Sequence, residues 1–429
     1  MKKLVLTCLF ATCAVATTSA HAAMEGMNMD MDMNSSVDLN DPMNREGSGT
    51  SWVPDSTPIY ARMLMTDHGM VMLHGGIFPR YTRIGGDRDV SASGDGGRVR
   101  LDAPSMFMGM YSLPVGDRAQ LGFHLMTSLD PLIERSEGYP LLYQSGETHN
   151  NVALHDRQHP HDLVSELSAT YSQKIGETQS AYAYVGYPGE PALGPPAFMH
   201  RLSAMNSADA PIGHHWEDAT HISWGVTTVG YSLGSIKAEA SAFRGGEPDE
   251  NRYNFEDPRL DSWSARLSWN PTANLALQVS HGRLHAPETL EPDTNLRRST
   301  ASLLWSLPMG DDANWSNSLV FGQNRVDGDG ASDAWLLESA LQRGAHSIYT
   351  RIERVEKSAH ELDLPGHELY PLISASLGYV HDFMRDNGLD IGLGAQVGLG
   401  RNPEGLDPVY GNGTHWNGQV FLRIRPSRL

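Results

Sequence analysis

Apolar and polar residues alternate with a period of two along most of the chain. In the stretch 262–282, one face of the first half is apolar and carries Trp263, Ala265, Leu267 and Trp269. The short turn NPTAN follows, and a second alternating run begins at Leu275. Such alternation around a short turn predicts a β-hairpin with one apolar and one polar face. About sixteen segments of this kind follow one another, so the sequence predicts an all-β fold.

Two details favour a membrane barrel over a soluble periplasmic β-protein, which is the alternative. Trp263 and Trp269 lie near the two ends of one apolar face, about 20 Å apart along an extended strand. Outer-membrane barrels carry aromatic girdles at such positions. The polar faces hold charges that suit a wet or plugged lumen, namely Arg266, Glu338, Arg351 and Glu353. We therefore predict an antiparallel outer-membrane β-barrel of about 14–16 strands.

The N-terminus of the sequence predicts that the protein is exported. Residues 1–22 combine a basic start, an apolar run and an A-x-A site, as in a secretory signal peptide. We expect a flexible segment rich in Met and Asp, with prolines, over 23–60 and the barrel over 61–429. Both cysteines, Cys8 and Cys13, lie in the signal. Its removal changes the formal net charge from −19 to −21, which disfavours nucleic acid as a partner.

Methionines are concentrated after the signal, where they alternate with aspartates. A disordered polar tail offers no core for such side chains, and thioethers are soft ligands that select Cu(I). A second methionine group, Met63 to Met72, has His68 and His74 nearby. The tail therefore predicts copper contacts, and its candidate ligands are Met24, Met27, Met29, Met31 and Met33.

The segment LHDRQHPHDL concentrates histidines just before a predicted strand. Its candidate metal ligands are His155, Asp156, His159, His161 and Asp162. The aspartates could bind an ion directly or orient the imidazole rings. A hydrogen-bonded polar plug, with Arg157 paired to the aspartates, is the competing interpretation, and catalysis is a third.

A second histidine group lies in a long, proline-rich connection between two predicted strands. Loops of this length are usually functional or disordered, and in barrels they often fold inward. If this connection meets the first histidine segment, the two together supply more ligands than a single site needs. Its candidate metal ligands are His200, His214, His215 and His221.

Two common catalytic motifs are absent from the sequence. It contains no H-E-x-x-H and no phosphate-binding glycine loop. The question of catalysis stays open, and a non-enzymatic role is favoured.

Three motifs resemble a little-characterised family of Gram-negative envelope proteins. They are REGSGTSWVPDSTP (Arg45 to Pro58), HDRQHPHDL (His155 to Leu163) and PPAFMHR with PIGHHWEDATHISWGV. The family accompanies copper and heavy-metal resistance genes, so the resemblance implies a metal-handling envelope protein.

The leading hypothesis is therefore an outer-membrane barrel that binds or passes metal ions, most of all copper, in metal tolerance. Its expected partners are metal ions, outer-membrane lipid and other copper-resistance proteins. The alternatives are a metal-dependent envelope enzyme, either a hydrolase or a copper oxidase, and a general porin with a histidine-rich plug.

Overall fold

The computed structural model describes residues 34–90, 97–134, 137–328 and 330–429. Met24 to Met33 lie outside these ranges. The strands are β1 Ala61–Met65, β2 Met70–Ile77, β3 Arg80–Arg83, β4 Val99–Asp102, β5 Ser105–Val115, β6 Ala119–Thr127, β7 Tyr139–His149, β8 Val152–Gln158, β9 Val164–Lys174, β10 Gln179–Gly186, β11 Val226–Leu233, β12 Ile236–Phe243, β13 Ser262–Thr272, β14 Leu275–His285, β15 Asn295–Pro308, β16 Ala313–Val326, β17 Gly330–Arg343, β18 His346–Ser358, β19 Leu369–Asp386, β20 Leu389–Arg401 and β21 Thr414–Pro426.

Helices in the described ranges are single turns. The α-helices are α1 Asp130–Ile133, α2 His214–Glu217 and α3 Asp407–Tyr410, and the 3-10 turns are Met43–Arg45, Phe198–His200, Ala219–His221 and Glu404–Leu406. Among the described residues, no helix has the length and apolar character that a membrane crossing requires.

The strands close into an antiparallel barrel of sixteen strands. Each barrel strand pairs with its neighbour, and β21 pairs with β3 to close the ring. Two barrel strands are interrupted, one into β2 and β3 and the other into β4 and β5, while β1 extends the seam by pairing with β2. The β7–β8 hairpin stands apart as a two-stranded sheet. The prediction of a barrel with about sixteen strands is confirmed.

The outer surface of the barrel is apolar and its inner surface is polar. On β13 the side chains alternate strictly, with Trp263 49% and Trp269 47% exposed while Ser264, Arg266 and Ser268 are buried. Because a strand directs successive side chains to opposite faces, this places the tryptophans outward and the charge inward. An apolar exterior on a closed barrel is the arrangement that a bilayer requires. The chain is an outer-membrane β-barrel.

The two ends of the barrel differ in the length of their connections. One end, the turn end, has tight connections such as 116–118 and 273–274. The other end, the loop end, carries long connections, including 128–163 and 187–225. The candidate histidines lie in these two connections, which fold into the lumen and place the histidines there.

Residues 34–60 differ from the flexible segment expected over 23–60, because they pack inside the lumen. Asp38 accepts hydrogen bonds from Ser180 at 2.8 Å and from Ser232 at 2.7 Å, both on the barrel wall. Thr50 donates to Glu239 at 2.6 Å. The polar sequence of this segment predicts a flexible linker. In the structure the polar lumen provides partners for its hydrogen-bonding groups, so the segment is ordered there. Residues 34–60 and 187–225 are called the plug below.

Charged pairs fix the plug to the wall on several sides. Arg201 in the plug lies 3.0 Å from Glu338 on β17, which Arg351 on β18 also contacts at 3.0 Å. On another side, Arg266, which lies 2.8 Å from Glu239 within the wall, donates to the Thr50 hydroxyl of the plug at 2.9 Å. All these groups are buried, as predicted for Arg266, Glu338 and Arg351. Buried charges persist only when they are paired in this way.

Candidate metal centre in the lumen

Five of the predicted histidines meet inside the barrel. Adjacent ring centres lie 5.1 Å apart for His214 and His221, 5.5 Å for His161 and His221, and 5.5 Å for His214 and His215. His159 completes the group at 5.7 Å from His215. We call this group the five-histidine cluster. The two histidine segments therefore meet in the fold, a proximity that the sequence alone leaves open.

Local structure explains how the 187–225 connection presents three of these rings. A backbone pairing between Gly189 and Ser223 closes the base of the connection, with N–H to O distances of 2.9 and 2.8 Å. Between them, α2 supplies His214 and His215, and the next 3-10 turn ends at His221. Thr220 lies in that 3-10 turn, and β11 starts at Val226.

Close packing holds α2 against the wall. Trp216 is fully buried and donates from Nε1 to the hydroxyl of Ser332 at 2.9 Å. Its backbone rests on Gly322 of β16, where an added Cβ would lie 2.4 Å from the Trp216 carbonyl oxygen. Glycine is therefore required at position 322 for α2 to approach the wall.

Each ring of the cluster has its Nδ1 held by an oxygen acceptor. His159 contacts Glu147 at 2.9 Å, and His161 contacts Asp130 at 2.8 Å. The others follow the same pattern, with His214 to Asp218 at 2.5 Å, His215 to Glu247 at 3.0 Å and His221 to the Asp218 carbonyl oxygen at 2.9 Å. An acceptor at Nδ1 keeps the proton on that nitrogen and leaves the Nε2 lone pair available to a ligand.

The outer nitrogens of the cluster are buried without protein partners. Among the described residues, Nε2 of His159, His161, His215 and His221 makes no hydrogen bond. Both carboxylate oxygens of the adjacent Glu217 are also buried and make no hydrogen bond to a described residue. Buried polar atoms are almost always satisfied, so four such nitrogens in one cluster require an explanation. A bound cation would supply it.

Burial and nearby charges set the protonation of these groups. Burial lowers the pKa of His214 to about 4, and it lowers the pKa of His221 far below its ordinary value. The pKa of His159 is also lowered by burial. In contrast, Glu247 outweighs burial and raises the pKa of His215. Most of the cluster is therefore neutral, as metal ligation requires.

The acceptors stay ionised although they are buried. Burial acts to raise the pKa of Glu147, but Arg252 and His159 lower it to about 2. Arg201 and His214 likewise hold the pKa of Asp218 below its usual value against burial. The cluster is thus a group of mostly neutral imidazoles surrounded by carboxylates, an environment that favours a bound cation.

The distances between the ring centres bear on whether the cluster can hold one shared ion. Two imidazoles that share one tetrahedral ion, at metal–nitrogen distances of about 2.0–2.1 Å, have ring centres about 5 Å apart. The closest pairs of the cluster match this spacing. Among the residues described, no group of three or more His, Cys, Asp or Glu side chains is yet arranged to hold an ion. Ligation therefore requires the rings to rotate so that their Nε2 atoms converge.

The other predicted ligands have different surroundings. His155 contacts Asp156 at 3.0 Å, and Asp156 also accepts from the Tyr143 backbone and the Tyr410 hydroxyl. Asp162 lies 3.4 Å from Arg252. His200 is paired with His74, at 5.3 Å between ring centres. Arg157, expected to pair with the aspartates, approaches Glu137 at 3.8 Å.

The sequence interpretation missed three of the acceptors. Asp130 and Glu147 share the 128–163 connection with His159 and His161 but lie outside the histidine motif, and Glu247 lies in the separate 244–261 connection. Asp218 was visible because it lies four residues after His214, a spacing that joins two side chains on one helical turn. No sequence pattern identifies Asp130, Glu147 or Glu247 as acceptors for the histidine rings.

Cavities connect the cluster with the loop end. A cavity of about 350 Å³ there is lined by charged side chains that include Glu288, Glu291, His360 and Glu361. A smaller one, of about 20 Å³, shares Glu288, His360 and Glu361 with it and reaches His215. Burial, with Glu247 and Glu361 nearby, raises the pKa of Glu288 to about 8. We call this region the acidic vestibule.

No protein-family model and no curated protein matches the chain. Several solved structures are similar to it. An anion-selective porin from Comamonas acidovorans shares 13% identity over 83% of this chain and 99% of its own, with a TM-score of 0.46. The loop L8 deletion mutant of OmpT from Vibrio cholerae shares 11% over 84% and 100%, with a TM-score of 0.46. The outer membrane channel DcaP of Acinetobacter baumannii shares 11% over 84% and 98%, with a TM-score of 0.44.

Proposed function

We propose that this outer-membrane barrel binds transition-metal ions at the five-histidine cluster and serves in metal tolerance, with copper as its principal ion. The observation that carries the proposal is the set of four buried Nε2 atoms without protein partners, on rings whose Nδ1 atoms are anchored. Imidazole nitrogen is a good ligand for copper and for zinc. The methionine-rich tail, Met24 to Met33, favours copper, because thioethers select Cu(I).

The route to the cluster begins at the acidic vestibule. Acidic side chains line the vestibule, and the residues that its two cavities share lead to His215. Passage further through the barrel would need the plug to move, since the plug occupies the lumen. A general porin, the alternative that fits the same barrel, needs a water-filled lumen instead.

Metal content of the purified full chain tests the proposal. We compare the wild type with the double variant His161→Gln, His221→Gln, after exposure of the cells to copper. The matched control is His281→Gln, His285→Gln, which changes two exposed histidines of β14. We expect about one or more copper ions per chain in the wild type and control, and at least a tenfold loss of affinity in the cluster variant.

Complementation connects binding with tolerance. A deletion strain should regain copper tolerance with the wild type and with the control variant, but not with the cluster variant. Equal metal content in all three proteins, or no bound metal in the wild type, would overturn the proposal. In that case, ion conductance in planar bilayers would test the porin alternative.

A further inference from the structure

Methionine and histidine dominate one part of the lumen wall. The inward positions of β2, β5 and β6 are in register across the three neighbouring strands. Side chains opposite each other on antiparallel strands have Cβ atoms about 5 Å apart. The rows run Met72–Met110–His124 and His74–Met108–Met126.

The plug covers this wall with the same two residue types. Met43 is buried against it, and Met199 packs on its edge. The next residue, His200, brings its ring within 5.3 Å of His74, and its Nε2 is buried without a partner among the described residues. Burial lowers the pKa of His200 to about 3, so the ring is neutral. We call this group the methionine–histidine wall.

The composition of the wall departs from the rest of the lumen. On β12 and β13, the inward positions carry Lys237, Glu239, Arg266 and serines. A lumen patch that only needed filling could use leucine, which loses less side-chain entropy on burial than methionine. Several thioethers beside the neutral His200 imidazole are the ligands that a soft-metal site uses.

We propose that the methionine–histidine wall is a second metal site, which binds a soft monovalent cation, Cu(I) or Ag(I), through methionine sulfurs and the His200 imidazole. This site is separate from the five-histidine cluster and does not depend on it. A cavity of about 90 Å³, lined by residues from both, lies between them; its lining includes His74, Met106, Met199 and His161. An ion that enters from the acidic vestibule would therefore reach the five-histidine cluster first and the methionine–histidine wall second.

Silver(I) is the probe, because it is soft and needs no reductant. Every protein in the silver(I) experiments, the one called wild type included, carries leucine in place of Met24, Met27, Met29, Met31 and Met33, since the tail would otherwise bind silver(I) as well. The variant Met108→Leu, Met110→Leu, Met126→Leu keeps the volume of the wall nearly constant. Its matched control is Met65→Leu, Met309→Leu, Met384→Leu, which changes three methionines that are 47%, 43% and 45% exposed. Heat-dependent gel mobility verifies that each barrel is folded.

We expect silver(I) to bind the wild type and the control at least tenfold more tightly than the wall variant. X-ray absorption at the silver edge should show sulfur neighbours in the wild type, with nitrogen lost in His200→Gln. Equal affinities in all folded proteins, or coordination without sulfur, would show that the methionines serve packing alone and would overturn the proposal.

Cobalt(II), a probe for nitrogen ligands, separates this proposal from the previous one. The variant His161→Gln, His221→Gln should lose cobalt(II) binding and keep silver(I) binding through sulfur. Wild-type protein that binds silver(I) through sulfur but no cobalt(II) would overturn the cluster and leave the wall. The reverse result would overturn the wall and leave the cluster.

Discussion

Nδ1 of His214 lies 2.5 Å from one carboxylate oxygen of Asp218, and the other oxygen of Asp218 lies 2.5 Å from the Arg201 guanidinium. Arg201 in turn contacts Glu338 on the barrel wall at 3.0 Å. A single chain of charges therefore joins the five-histidine cluster to a strand. The orientation of the His214 ring depends on the barrel itself and not only on its own short helix.

Asp218→Asn weakens this chain of charges and should lower the affinity for cobalt(II) by about 10- to 100-fold. The amide cannot fix the His214 proton on Nδ1 as a carboxylate does, and it leaves Arg201 with one anionic partner fewer. Titration of the visible cobalt(II) spectrum measures the loss. Asp257→Asn, at an exposed carboxylate in the 244–261 connection, is the control and should bind as the wild type does. Equal affinities would show that Asp218 does not position the ring.

Gly146→Ala should displace the His215 ring. An added Cβ would lie 2.4 Å from that ring, and the backbone has φ +112 there. We expect at least a tenfold loss of cobalt(II) affinity. Gly116→Ala is the control, because Gly116 has φ +64 but no atom within 4 Å of the added Cβ. That variant should lose only about 1 kcal/mol of stability and no affinity. If both variants lost the same affinity for cobalt(II), the loss would come from backbone strain and not from contact with the His215 ring.

Glu190 should make the plug less stable as the pH rises. Burial, together with Glu166 and Asp218, raises its pKa from 4.5 to about 8. The folded state therefore holds a proton that the unfolded chain releases between these pH values, so stability is full below pH 4.5 and is lost up to pH 8. Glu190→Gln should be more stable than the wild type at pH 8, by about 4 kcal/mol, and similar to it at pH 4.5.

Urea unfolding at the two pH values measures the Glu190 effect. Glu177→Gln, in an exposed turn, is the control and should follow the wild type at both. A Glu190→Gln variant with the pH dependence of the wild type would contradict the prediction.

Deletion of residues 34–57 should raise ion conductance in planar bilayers. This part of the plug occupies the lumen and bonds to the wall through Asp38 and Thr50. The wild type, measured beside it, should conduct much less. If the deleted barrel stays equally closed, the 187–225 connection alone blocks the lumen.

The sequence predicted the barrel well because alternation is a local property. Each strand needs only its own residues to show which face is apolar, as Trp263 and Arg266 do on β13. The plug was missed for a related reason. Residues 34–60 lack an apolar face and resemble a linker, and only the polar wall around them makes burial favourable.

The candidate site was predicted in part. The two motifs supplied all five rings of the cluster, but not which histidines would join it. His200 lies in the same connection as His214, yet it faces His74 because the register of β2 brings that ring beneath it. Register is a long-range property that no single segment encodes.

The plug also constrains the order of assembly. Residues 34–60 precede the first strand, yet they lie inside a ring that closes only when β21 pairs with β3. A ring closed before this segment entered would leave Lys237, Glu239 and Arg266 without their N-terminal partners. Because the segment supplies these partners, we expect it to be inside before the last strand pairs with the first, so that the barrel forms around its own N-terminal segment.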